Sequence, residues 1–195
     1  MVNKMKNILK KLLIMIMPIM LVASLTACGS QKDNVKNQSS NTSIFPNFNA
    51  TDFQGNQFTQ NMFKDNPVTV LNLWFTGCQA CVSEMPQLET LNKELKEKGV
   101  ALVGVCIDDV SMDKTVYAQA EKILKDNNIT YPNLIMEHGE EIDNYLNNIF
   151  AFPTTLLIDR EGNIIGEPIV GSIDNQKQID DLNNRIDKII ENDKQ

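Results

Sequence analysis

The stretch PVTVLNLWF (67–75) constrains the fold most. It carries no charge and ends two residues short of a cysteine pair, Cys78 and Cys81. A continuous β-branched and apolar run is the pattern of a strand covered on both faces, because a half-solvated strand would alternate. Directly behind it, CVSEMPQLETLNKELKEKG places Met85, Leu88, Leu91 and Leu95 at spacings of three, three and four. That spacing draws one apolar stripe along a helix. Gly99 supplies the stop, and Pro86 inside the segment predicts a kink. A doubly covered strand that runs straight into an amphipathic helix needs layers on both sides of a sheet, which makes the chain α/β.

The remaining segments extend that reading. VALVGVCID (100–108) is a second buried strand, and 113–127 reads as a helix closed by Asn127-Asn128. ITYPNLI (129–135) predicts a short strand and EEIDNYLNN a short helix. TTLLID (154–159) is a third strong strand, and the turn REGN leads it into IIGEPIV as an antiparallel partner. Ile179, Leu182, Ile186 and Ile189 mark the buried stripe of a last helix. Between Ile44 and Phe63, aromatics alternate with polar residues around the turn signal Gln54-Gly55-Asn56, which predicts an N-terminal β-hairpin. The sum is one central mixed sheet flanked by helices, without a repeat of fixed period.

The first residues belong to another problem. Lys4, Lys6, Lys10 and Lys11 precede an apolar run from Leu12 to Leu25, interrupted only by Pro18 and Ser24. Fourteen residues fall short of the ~20 that a transmembrane helix needs, so the run reads as the core of a secretory signal peptide over 1–27. Leu25-Thr26-Ala27-Cys28 resembles a bacterial lipobox. The resemblance implies that Cys28 takes a diacylglycerol on its sulfur and becomes the mature N-terminus, at the extracytoplasmic face of a bacterial cell membrane. Residues 28–43 are polar, with too little apolar surface to offset the entropy of ordering them, and read as a disordered tether. Residues 44–195 form the folded domain. Removing the four leader lysines from a formal charge of −7 leaves about −11. An acidic mature chain argues against nucleic acid and against electrostatic adhesion to anionic lipid, so attachment falls to the lipid.

The cysteines decide the chemistry. A structural zinc site needs about four Cys or His ligands, and the domain offers Cys78, Cys81, Cys106 and His138 without a second pair. A structural disulfide between Cys78 and Cys81 would close a loop of two residues and constrain the unfolded chain little. A redox pair fits better. Unsatisfied N–H groups at a helix start favour the thiolate of Cys78, and Cys81 one turn on can resolve a mixed disulfide. Cys106, mid-strand, is expected to be a small buried hydrophobe, and His138, in the polar EHGEE, to lie on the surface.

WFTGCQACVSEMP (74–86), with FPTT and LLIDREGNII further on, resembles the TlpA/ResA group of extracytoplasmic thioredoxin-like proteins over residues 44 to 190. The resemblance implies a thioredoxin-like fold in which Pro153 is a cis-proline facing the cysteines and Phe152 offers a backbone edge to an extended client. Trp74 is counted with them as a client-site residue packed below the cysteines. Thioredoxins carry a buried aspartate six residues before the first cysteine, where this chain has Asn72. The group instead has a glutamate three residues after the second, which Glu84 matches as the proton acceptor for Cys81. Gly77 departs from the aromatic residue common there and leaves the client groove without a wall.

What the resemblance implies in function is a thiol–disulfide oxidoreductase without cofactor or metal, reducing exported clients and recharged by a membrane thiol-electron transporter. Apocytochrome c, a methionine sulfoxide reductase and misoxidised exported proteins are the client classes. Two alternatives stand beside it. A peroxiredoxin-like thiol peroxidase needs a threonine where Phe75 stands. A Sco-type copper carrier needs three residues between its cysteines and a histidine, for which only His138 is available.

Overall fold

The structure, a computed structural model, describes residues 43–194. The expected signal peptide, Cys28 and the tether up to residue 42 lie outside the described residues. Ser43, expected as the tether's last residue, already belongs to a strand, β1 (Ser43–Ile44).

The chain continues through β2 (Asn49–Asp52), β3 (Gln57–Thr59) and a short 3-10 helix (Gln60–Asp65) to β4 (Val68–Trp74) and helix α1 (Gln79–Glu97). After β5 (Ala101–Cys106) come α2 (Lys114–Asp126), β6 (Asn133–Met136), α3 (Glu140–Asn147) and β7 (Thr154–Asp159). Two short strands, β8 (Asn163–Ile164) and β9 (Ile169–Val170), precede the last helix, α4 (Gln176–Asp193). Among the described residues the strands form one sheet in the order β1-β8-β7-β4-β5-β6-β2-β3, with β9 also on β7. β4 lies parallel to β5 and antiparallel to β7, so the sheet is mixed and β4 is central.

That position explains the uncharged run: every residue of β4 is buried. Val68 and Val70 meet Leu88, Leu91 and Leu95 of α1 together with Leu182, Ile186 and Ile189 of α4. Leu71 and Leu73 point to the other face, among Phe45, Phe48, Phe63 and Ile142. Each such side chain contributes about 1.5–3 kcal/mol by leaving water. Helix α1 stops as expected. Gly99 adopts φ +72°, its N–H donates to the Lys96 carbonyl at 3.1 Å, and the Val100 N–H donates to the Leu95 carbonyl at 3.0 Å. Together they satisfy carbonyls that the helix end leaves free.

Two details differ from the sequence reading. IIGEPIV is not one strand: β8 and β9 pair separately with β7, at Ile158↔Ile164 and Thr155↔Ile169. Gly166, at φ +72°, and Pro168 interrupt the run, since a left-handed residue and one without an N–H cannot continue a ladder. The N-terminal hairpin β2–β3 extends the edge beyond β6. The Asp52 carboxylate closes its turn by accepting from the Gln54 and Asn56 N–H groups at 2.9 and 2.8 Å.

Gly104 in β5 has a purely spatial reason. A Cβ there would lie 2.0 Å from the Asn133 Oδ1, the atom that accepts the Trp74 indole N–H at 2.9 Å. Gly104→Ala should therefore cost about 1–3 kcal/mol, read by denaturant unfolding followed through Trp74, the sole tryptophan. A variant within about 0.5 kcal/mol of the wild type would show that Asn133 yields freely.

Candidate active site

Strand β4 hands the chain to a turn in which the Cys78 N–H donates to the Phe75 carbonyl at 3.0 Å. Cys78 then occupies the N-cap of α1, with extended backbone at φ −84° and ψ 93°. A cap side chain accepts from the first N–H groups of its helix, and here the acceptor is sulfur. The Cys81 N–H donates to the Cys78 Sγ at 3.1 Å. Cys78 and Cys81 are joined as a disulfide, their Cα atoms 5.3 Å apart. The Cys78 sulfur thus sits at the helix N-terminus with a backbone N–H aimed at it. The opening is narrow. Cys78 keeps 7% of its surface and Cys81 1%, so an attacking group meets Cys78 first.

Glu84, one turn beyond Cys81, is buried. Its Oε1 accepts from the Asn72 Nδ2 at 3.0 Å and its Oε2 from the Ile173 N–H at 2.7 Å. Asn72 also donates to the Thr155 Oγ1 at 3.1 Å. Burial pushes the Glu84 carboxyl from the ordinary 4.5 up to about 6. The Ile173 and Asn72 donors hold it lower than burial alone would, and the nearby charge of Asp174 adds to the rise. A carboxyl at that value is largely ionised at neutral pH yet close enough to accept and return a proton. Tyr131 packs nearby, its hydroxyl pushed up by burial first and then by the charges of Glu84 and Glu89.

The Phe152–Pro153 bond is cis. The Pro153 carbonyl accepts from the Gly171 N–H at 2.9 Å, and the Thr154 hydroxyl donates to the Ala151 carbonyl at 2.7 Å. Pro153 is buried and Phe152 half-buried. The Phe152 N–H and C=O make no hydrogen bond among the described residues. Phe152 packs against the apolar cluster that contains both cysteines. Trp74 belongs to that cluster too, but it is 1% exposed with its N–H spent on Asn133. It supports the cysteines from below and has no surface to offer a client, so its expected place among client-site residues is corrected.

Sequence reasoning left several members of the site unassigned. The Asp108 Oδ2 accepts from the Thr76 N–H at 2.6 Å and from the Cys106 thiol at 3.6 Å, tying the end of β5 to the loop before Cys78. Asn133, Thr155 and Ile173 were equally silent. Each acts through a partner distant in the chain, whereas Asn72 stood out because it holds the place of the thioredoxin aspartate. Cys106 is free and buried, its thiol pushed far up by burial and then by the Asp108 charge, so it stays protonated. His138 lies exposed between Asp109 and Asp143, at 3.6 and 3.4 Å.

A buried central strand, a dithiol helix capped by its own first cysteine and a cis-proline loop packed beside it define a thioredoxin-like protein. The chain belongs to the AhpC/TSA family, whose model matches residues 42–166, and within that breadth it is TlpA/ResA-like. It is 33% identical over 122 residues to the thiol-disulfide oxidoreductase ResA of Bacillus thuringiensis subsp. konkukian, covering 63% of this chain and 65% of that one. The chain thus spans slightly less than two thirds of that relative. The thioredoxin-like protein YneN of Bacillus subtilis is 30% identical over 128 residues, covering 66% of this chain and 70% of that one. StoA from Bacillus subtilis shares the fold at a TM-score of 0.55 and 22% identity, covering 72% of this chain and 96% of that one. Among the described residues no helix is long and apolar enough to cross a membrane.

Glu84 ties stability to pH. Folded, it holds its proton to about pH 6, and unfolded only to about 4.5. Between those values the folded state binds more protons, so the stability Glu84 allows is complete below 4.5 and falls as pH rises through 6, by about 2 kcal/mol. Denaturant unfolding at the two ends of that window should show the decline in the wild type relative to Glu84→Gln. Parallel pH profiles for the two proteins would refute the assignment.

Proposed function

We propose that the protein is a thiol–disulfide oxidoreductase that reduces disulfides in exported proteins. The observation that carries this reading is the Cys78–Cys81 disulfide at the start of α1, with the Cys81 N–H on the Cys78 sulfur and an unpaired backbone edge at Phe152 beside it. The relatives named as thiol-disulfide oxidoreductases support it.

In the reduced protein the Cys78 thiolate attacks a client disulfide. One client sulfur leaves as a thiol after taking a proton, and the other joins Cys78 as a mixed disulfide. Cys81 gives its proton to Glu84, attacks the Cys78 sulfur and releases the second client thiolate, which takes up that proton. Two electrons have passed from the dithiol to the client, and the Cys78–Cys81 disulfide has formed. The client lies extended along the Phe152 edge, pairing its backbone with the N–H and C=O of that residue. A membrane thiol-electron transporter restores the dithiol. Candidate clients are apocytochrome c, a methionine sulfoxide reductase and misoxidised exported proteins.

Anchoring is part of the proposal and rests on the sequence alone. Cleavage after Ala27 and a lipid on Cys28 would hold the domain at the outer face of the cell membrane, on a polar tether. Cys28→Ala should move the protein from the membrane fraction to the soluble or unprocessed fraction, and membrane retention with continued lipid labelling would contradict the anchor.

The chemistry is tested by reduction of a disulfide-bonded protein with dithiothreitol as electron source. Cys78→Ser should fall to background. Cys81→Ser, pre-reduced and then given the client disulfide without dithiothreitol, should accumulate a mixed disulfide that maps to Cys78. Turnover by Cys78→Ser, or adducts on Cys81 in a wild type given limiting alkylating reagent, would overturn the assigned roles.

A further inference from the structure

Gly77 stands immediately before Cys78, and its backbone is not in the left-handed region that favours glycine. The structure offers a different reason for it. A Cβ at Gly77 would lie 3.2 Å from the Phe75 Cε2 and 3.5 Å from its Cδ2, with no other atom beyond the two flanking residues within 4 Å. A side chain at residue 77 would therefore crowd the Phe75 ring. The same ring meets Phe152 edge to face, centroids 5.4 Å apart and planes at 89°. Both rings are half-buried, and they join two loops, the one that leads into Cys78 and the one that carries Pro153. An aromatic ring thus lies beside position 77 after all, contributed from two residues earlier in the chain.

We propose that Phe75 is a positioning residue for client binding: its ring, lying over Gly77, holds Phe152 and the unpaired backbone edge of that residue beside the Cys78–Cys81 pair. The inference rests on the oxidoreductase reading and adds what sets the client edge. Phe75 reaches no reacting sulfur in this role. It acts through Phe152, whose N–H and C=O have no partner among the described residues and whose ring has Phe75 as its aromatic neighbour. Glycine at 77 favours the placement, since a Cβ 3.2 Å from the ring would shift it by a few tenths of an ångström relative to Phe152.

The test compares the KM for a disulfide-bonded protein with the KM for 2-hydroxyethyl disulfide, which has no peptide backbone to lie along the edge. Phe75→Ala should raise the ratio of the two about threefold to tenfold, the range expected from losing an edge-to-face pair, with the loss in KM and not in kcat. Phe75→Tyr keeps the ring and should restore the wild-type ratio. Gly77→Ala should raise the ratio in the wild-type background but add nothing to Phe75→Ala, because the atom it crowds is gone. A general folding defect would shift both substrates together and leave the ratio where it was. An unmoved ratio in Phe75→Ala, a failure of tyrosine to rescue or additive effects of the two alanines would each overturn the role of Phe75 while leaving the oxidoreductase reading intact. A wild type that reduces neither substrate would overturn both.

Discussion

The carboxylate of Glu84 is the contact on which the rest of the site depends. Buried charge is costly unless it is hydrogen-bonded, and this one gathers its donors from far along the chain. Asn72 reaches it from β4 and the Ile173 N–H from the segment before α4, while Asn72 binds Thr155 of β7 with its remaining hydrogen. The base of the active-site helix, the central strand, the cis-proline strand and the last helix are thereby held at one point. The donors compensate only in part, which is why the carboxyl still rises to about 6. That incomplete compensation leaves a carboxyl raised to about 6 within a turn of Cys81, at some expense of stability above that pH.

A second anchor serves the other side. Trp74 ends β4 with its indole N–H on Asn133, and Asn133 holds its own amide on the Tyr131 carbonyl at 3.1 Å. Gly104 between them leaves the room. Above this, the Asp108 carboxylate grips the Thr76 N–H, so the turn that carries Cys78 is fixed from β5 as well as from β4. The cysteine pair thus sits on a floor in which backbone N–H groups and one buried carboxylate are held in place by the sheet.

Much of this was legible in the residues. The uncharged run 67–75 read as a central strand because burial on both faces leaves no alternation, and Met85, Leu88, Leu91 and Leu95 read as a helix stripe because 3.6-residue periodicity is local. Cys78 and Cys81, three apart after that strand, marked the site. IIGEPIV was misread as one strand, because apolar content said nothing of the break that Gly166 and Pro168 impose. Trp74 was grouped with the client surface, since an aromatic beside a motif carries no label for the side it faces. Gly77 reads as a missing wall because sequence spacing does not show the Phe75 ring lying beside it.

The sequence by itself marked the buried strands, the apolar stripes of the helices, the Gly99 stop and the cysteine pair as the candidate site, all of which follow from spacing within a few residues. Only the tertiary structure decided that Asn72 and Ile173 would hold Glu84 from 12 and 89 positions away, that Asn133 would meet Trp74 across 59, and that Phe75 would meet Phe152. Such partnerships depend on strand register and on how helices lie over the sheet. Those are fixed by the packing of the whole core, and no periodicity in a single chain records them.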